Sequence, residues 1–315
     1  MKFNPNARLD ASQVQDRRGG GGRSSGGFGG IPGGRGGLAV GGGGLGLVAI
    51  VVIFLIYQFT GGGSSTGSGN LLQGATGNTT VNNSTLAQQC QTGTDANNNE
   101  DCAVVAVINS VQSFWQDEFA ASGGSYQEAD TVFFSGSTST GCGQGTSGMG
   151  PFYCPPDQLV YIDLRFWDEL KTTFGANDAP FTQAYVLAHE YGHHVQNLLG
   201  TSNRVGTATG ATSGSVRLEL QADCYAGVWA NHASTVPDAT GQPLITEITS
   251  ADIQNAVETA GAIGDDYIQT QIARQRVDTS QFSHGSSAQR QKWLLAGYQS
   301  GNPATCNTFD TNDLG

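Results

Sequence analysis

The sequence predicts an α+β domain, mainly helical with a small sheet, preceded by a single transmembrane helix. Three observations carry this. Glycine crowds into the first 70 positions, and so glycine-rich a stretch has few side chains to bury and is costly to order. Leu45 to Tyr57 (LGLVAIVVIFLIY) is almost unbroken apolar sequence. Extended back through the glycines to Leu38, it reaches the roughly 20 residues a spanning helix needs. Beyond Leu86, apolar residues recur at three- and four-residue intervals over several long stretches, whereas only two short runs look like strands.

Four regions follow in order. Residues 1–37 read as a polar, glycine-rich tail with too few apolar groups to fold. Residues 38–60 span a membrane, 61–85 form a flexible Gly/Ser/Thr/Asn tether, and 86–315 are long enough for one globular domain. Lys2, Arg8, Arg17, Arg18, Arg23 and Arg35 all precede the apolar segment, and no base follows it until Arg165. The positive-inside bias therefore puts the N-terminus in the cytoplasm and the domain on the periplasmic or extracellular side of a single-pass membrane protein. A cleaved signal peptide is the competing reading; the long leader and the lack of an A-x-A-like site after Tyr57 oppose it.

Within the domain, Ala103–Phe119 reads as a helix, Thr131–Ser135 as a strand, Gly136–Gly150 as a small-residue loop, Leu159–Leu164 as a second strand and Arg165–Phe174 as a short helix. Pro180–Leu199 is the clearest helix: Pro180 suits a first turn, Gly200 suits the position past the end, and Phe181, Ala184, Tyr185, Ala188, Gly192, Val195 and Leu199 make one apolar stripe. A polar loop, Thr201–Gly214, leads to a helix over Val216–Ala230. Ile248–Arg276 is helical in two pieces, and Ser287–Gln299 is the last helix, capped by Ser286 or Ser287.

The six cysteines, Cys90, Cys102, Cys142, Cys154, Cys224 and Cys306, all follow the apolar segment. An even number in an exported domain reads as disulfides, and no C-x-x-C spacing suggests a cysteine metal site. Local spacing favours Cys90–Cys102 and Cys142–Cys154, which leaves Cys224–Cys306, one of 15 possible pairings. The net charge of −12 is divided. The first 60 residues carry six bases and two acids, the rest eight bases and 24 acids. An acidic domain argues against a nucleic-acid partner, which needs a basic footprint.

Inside the Pro180 helix lies His189-Glu190-Tyr191-Gly192-His193, an H-E-x-x-H pattern. Residues four apart share a helix face, so two imidazoles can grip one metal ion. Glu190, beside the first of them, can reach a water on that ion. Zinc suits such a site because it takes nitrogen and oxygen donors and keeps a fourth position open. Random placement would yield the pattern in about two of a thousand such chains, the usual false-positive risk of a short motif. The third donor is expected from Glu219-Leu220-Gln221-Ala222-Asp223. Glu219 and Asp223 share a face of the Val216 helix, Glu219 supplying a carboxylate oxygen and Asp223 accepting the outer N–H of a ligand histidine. His194 points about 100° from His193 and is not expected to ligate. His232 reads as a surface or capping residue. His284, in Ser283-His284-Gly285-Ser286, could stabilise an oxyanion or simply order its loop.

The segments MKFNPNARLD, TVFFSG, CGQGTSGMGPFYCPPD, VYIDLRF, AHEYGHHVQ, LELQADCYAGVW, SHGSSAQRQKW and CNTF together resemble the neutral zinc metallopeptidase family of membrane-anchored bacterial proteins. The resemblance implies a zincin-like, gluzincin-type metalloendopeptidase acting on peptide or protein substrates. It implies Zn2+ bound by His189, His193 and Glu219, with Glu190 as the catalytic acid/base. Val160–Leu164 is expected to be an edge strand beside the site that could receive an extended peptide. The alternative from another class is a non-catalytic envelope binding or assembly protein with a structural or degenerate metal site.

Overall fold

The computed structural model describes residues 1–18, 83–177 and 179–315. The expected span, 38–60, lies outside the described residues, and among the described residues no helix is long and apolar enough to cross a membrane.

In chain order the elements are β1 (Lys2–Phe3), a 3₁₀ turn (Ala11–Gln13), β2 (Val14–Asp16), α1 (Asn83–Gln89), α2 (Gly93–Asn98) and α3 (Glu100–Ala121). Then come β3 (Thr131–Phe133), β4 (Ser137–Thr140), β5 (Gly143–Thr146), β6 (Phe152–Cys154), β7 (Leu159–Ile162) and α4 (Phe166–Thr172). The rest is α5 (Pro180–Leu198), α6 (Gly214–His232), β8 (Ile245–Glu247), α7 (Ser250–Ala262), a helical turn Asp265–Tyr267 running into a π turn Ile268–Ile272, and α8 (Ser287–Ser300). The mainly helical α+β reading holds.

Helix ends follow local chemistry. Asn99 caps α3 by accepting from the Cys102 N–H, with Glu100 and Asp101 in the first turn where the helix dipole favours acids. Ser213 caps α6, and Ser286 forms a capping box with Gln289 at the start of α8. Pro180 opens α5, and Gly200 follows its end with φ of 72°. α5 and α6 pack together at the centre, flanked by α3, α7 and α8. Phe181 and Trp229 stack with ring centroids 6.0 Å apart across the pair. α6 and α8 approach almost backbone to backbone: a Cβ at Gly227 would lie 2.1 Å from the Leu294 carbonyl oxygen, and one at Gly297 1.9 Å from that of Cys224. No side chain fits at either position, and the closeness brings α8 over the centre of the helix pair.

The main sheet runs β2-β3-β7-β6, with β2, β3 and β7 parallel and β6 antiparallel to β7. The Val160–Leu164 run is therefore not an edge strand. It forms β7, flanked by β3 and β6, and the edge beside α5 is β6. Three residues between Pro151 and Pro155 are too short to display an alternating pattern, which hid this strand in the sequence. The Gly136–Gly150 loop also holds more order than expected. It contains the β4–β5 hairpin and a 3₁₀ turn, pinned by the buried Asp163 carboxylate, which accepts from the Gly136 N–H, the Ser147 hydroxyl and Arg165. Three disulfides, Cys90–Cys102, Cys142–Cys154 and Cys224–Cys306, match the expected pairing.

The largest departure is at the N-terminus. The tail reading of residues 1–37 fails for 1–18, which form an arm woven into the domain. β1 pairs antiparallel with β8, and β2 extends the main sheet beside β3. Phe3, Ala7, Ala11 and Val14 are buried. The tether reading also ends early, since α1 starts at Asn83. Stability here comes from partners far along the chain, which local composition does not reveal.

Candidate metal centre

α5 and α6 cross with Gly192 at the contact, where a Cβ would press within 3.1 Å of the Ala222 backbone. This close crossing faces the H-E-x-x-H turn of α5 towards Glu219 on α6. His189 Nε2 lies 3.2 Å from Glu219 Oε2, and His193 Nε2 lies 3.4 Å from Glu219 Oε1. Tetrahedral zinc with bonds of about 2.0–2.1 Å holds its donors roughly 3.3 Å apart. Among the described residues these three form a His/Glu cluster with donor atoms within 4.8 Å of one another. The two imidazole nitrogens face different oxygens of the Glu219 carboxylate, and this set of two nitrogens and a carboxylate has the chemistry of a zinc site.

Each imidazole is oriented from behind. His189 Nδ1 is 2.8 Å from Asp223 Oδ1. Burial opposes ionisation of Asp223, but the Arg290 charge and His189 outweigh it and hold its pKa at about 2. Asp223 is therefore an acceptor, and the ring proton is on Nδ1, leaving Nε2 for a metal. His193 Nδ1 is 2.9 Å from Gln196 Oε1. The Gln196 amide nitrogen donates to the Leu218 carbonyl and to Gln221, which turns its oxygen to the ring and fixes the same tautomer. Arg290, fully buried on α8, donates from Nε to Asp223 Oδ2 at 2.8 Å and from Nη2 to Oδ1 at 2.9 Å. The Tyr185 hydroxyl donates to Asp223 Oδ1 at 2.6 Å.

The titration pattern follows from this enclosure. Burial pushes the Glu190 carboxyl up to about 7, opposed by His189 and reinforced by Glu219, and the Tyr153 backbone N–H is hydrogen-bonded to it. Burial lowers His193 to about 4. Burial would lower His189 as well, but the Asp223 charge and hydrogen bonds to Asp223 and Glu219 raise it to about 10 in the metal-free site. Glu219 is pulled below the usual carboxylate range despite its burial, by the charge of His193 and the hydrogen bond from His189.

The remaining histidines separate cleanly. His194 faces the opposite side of α5, bonded to the Tyr153 hydroxyl at 3.0 Å and the Gln127 carbonyl at 2.6 Å, and ties the helix to the β3 approach. His232 stacks on Phe114 and caps the end of α8 through the Gly301 carbonyl. Burial disfavours the charged form of His284, but the charge and hydrogen bond of Asp265, with a smaller contribution from Glu219, outweigh it and raise its pKa. Asp265 anchors it, accepting from His284 Nδ1 and from the backbone N–H groups of Ser283, His284 and Gly285. The sequence reading groups His189, Glu190, His193, Glu219, Asp223 and His284; the fold joins His189, His193, Glu219 and Asp223 in one cluster and sets Glu190 and His284 close enough to interact with the Glu219 charge. The sequence reading misses Gln196, Tyr185, Arg290 and Asp265. Of these, Gln196, three residues after His193, and Tyr185, four before His189, carried a local signal as neighbours on the same helix face.

Comparison with known proteins agrees with this geometry. The family described as "Putative neutral zinc metallopeptidase" matches residues 3–309, a span that takes in the arm. Among similar proteins, an uncharacterized protein of Mycobacterium tuberculosis is 49% identical over 229 residues, covering 72% of this chain and 76% of that one. The uncharacterized protein YpfJ of Escherichia coli is 42% identical over 232 residues, 71% of this chain and 77% of its own. No solved structure matches the chain.

Proposed function

Because the chain belongs to the neutral zinc metallopeptidase family, we propose that it is a zinc metalloendopeptidase of the zincin type, cleaving peptide or protein substrates at the α5–α6 crossing. The observation that carries this reading is the convergence of two imidazoles and one carboxylate from two helices, with His189 Nε2 and His193 Nε2 lying 3.2 and 3.4 Å from the two Glu219 oxygens, and with a buried carboxyl next to the first histidine. His189, His193 and Glu219 are the metal ligands, and Asp223 orients His189. When bound, zinc acidifies water and polarises a carbonyl group.

The chain's own residues do the rest. Glu190 accepts the proton of the attacking water and passes it to the departing amine. A pKa raised by burial towards neutrality suits that exchange, since a general base works best near the operating pH. His284, held by Asp265, donates to the oxyanion as the carbonyl becomes tetrahedral. The β6 edge offers backbone groups near Glu190 along which an extended peptide can lie. The acidic surface is not suited to nucleic acid. Attachment to a membrane through 38–60, with the disulfide-bonded body in a periplasmic or extracellular compartment, completes the proposal.

The test is Glu190→Gln in the purified full chain. Zinc content stays stoichiometric while hydrolysis of an unfolded protein such as casein falls about 10²–10⁴-fold, the usual worth of a general base. Unchanged cleavage would remove Glu190 from the chemistry. Zinc retained without any hydrolysis by the unaltered chain would favour the binding-protein reading instead.

A further inference from the structure

The arm, residues 1–18, is built into the body at many points. The Phe3 N–H donates to Asn97 Oδ1 at 3.0 Å, and Asn97 Nδ2 returns a bond to the Phe3 carbonyl at 2.9 Å. The Arg8 N–H donates to Asp238 at 2.6 Å, and Asn109 clasps Asp10 from both sides. The body is shaped to receive it: at Gly93 a Cβ would lie 1.8 Å from the Asn4 carbonyl oxygen. The exit and return points coincide. Asn83 Oδ1 accepts from the Asp16 N–H at 2.9 Å, and Asn83 Nδ2 donates to the Val14 carbonyl at 2.6 Å. Arg18 is paired with Asp16 and Asp101.

A single membrane crossing by 38–60 would put arm and body on opposite faces. To meet again, either 19–37 or 61–82 would have to recross. Neither supplies the roughly 20 apolar residues required. The first carries Arg23 and Arg35, and a glycine-rich backbone in lipid would leave its polar groups unsatisfied. A docked arm and a single crossing therefore exclude each other. The positive charges that suggested a cytoplasmic N-terminus are partly accounted for: Lys2 pairs with Glu247 at 2.6 Å, and Arg18 pairs with the two aspartates.

We propose that the arm and the body share one compartment, the oxidising one required by the three disulfides, and that the apolar segment between them makes no net crossing of the membrane. This rests on the membrane attachment proposed above but corrects its topology.

The test uses the full chain in spheroplasts with a membrane-impermeant maleimide. Asn6→Cys reports the arm and Leu199→Cys the body; both positions are exposed. The two variants are expected to be labelled to the same extent before lysis. Labelling of Leu199→Cys before lysis but of Asn6→Cys only after it would overturn the proposal. A second measurement avoids an unpaired thiol. Lys2 and Glu247 are register partners, and Lys2→Cys combined with Glu247→Cys is expected to form a reducible cross-link in cells. Absence of that cross-link from chains whose native disulfides have formed would overturn the proposal too. Sedimentation of the chain reads membrane attachment separately: equal labelling of a chain found only in the soluble fraction would refute anchoring while upholding the shared compartment.

Discussion

The α5–α6 pair and the N-terminal arm both bury apolar side chains in the same body. They differ in where their order originates. The helix pair is specified by neighbours three and four residues apart, and its function by two histidines on one turn. The arm is specified by partners as distant as Asp238 and Glu247. A helix can thus announce itself from within its own sequence, whereas a two- or three-residue strand acquires order only from the surface it joins.

The widest separation between the two regions should come from a metal ligand. Glu219→Ala removes one of three donors, and the expected result is loss of stoichiometric zinc on dialysis. The cost in affinity should exceed the 10–100-fold typical of an outer partner. Full zinc content in that variant would mean the metal is held elsewhere.

Arg290→Met acts one step further out. It leaves Asp223 a buried, partly uncompensated charge, and breaking such a pair costs about 3–5 kcal/mol of stability. Zinc affinity should also fall about 10–100-fold, because Asp223 no longer holds His189 in place. Zinc titration and thermal melting of the same variant check both effects. A loss of stability with unaltered zinc affinity would make Arg290 a packing residue only.

The arm should behave in the opposite sense. Phe3→Ala empties a buried site and should lower stability by about 3 kcal/mol, while zinc stoichiometry stays the same. Unchanged melting would mean the arm adds nothing to the body. The legibility of the two regions runs parallel to these effects. His189, Glu190, His193 and Glu219 could be read from spacing, and the three disulfides from separation along the chain. Arg290 could not, because its role depends on Gly227 and Gly297 letting α8 approach α6. Phe3 and Val14 could not, because nothing nearby in sequence makes them apolar neighbours. β6 was hidden by its length, three residues being too few to show alternation.

Acidification should divide the regions by a smaller but cleaner margin. In the metal-free site His189 titrates at about 10, raised by Asp223 and Glu219 against the effect of burial, while His193, lowered by burial, titrates at about 4. Between those values His189 holds one proton that a metal must displace, and His193 holds none. Zinc affinity should therefore rise about tenfold per pH unit from pH 5 to pH 9, about 1.4 kcal/mol each. Zinc titration in two buffers of different ionisation enthalpy should register about one proton released per ion. The arm also weakens on acidification, but in a lower pH window. Burial opposes ionisation of Asp16, but its bonds from Arg18 prevail and lower its pKa. Its contribution is fully present above the unfolded carboxylate value of about 3.9 and is lost only as pH falls through the lower folded value. Between pH 8 and pH 5, then, the metal site should weaken while arm docking, followed by amide exchange at Val14 and Gln15, stays constant. Loss of protection at those amides in the same range would show that the two regions are coupled.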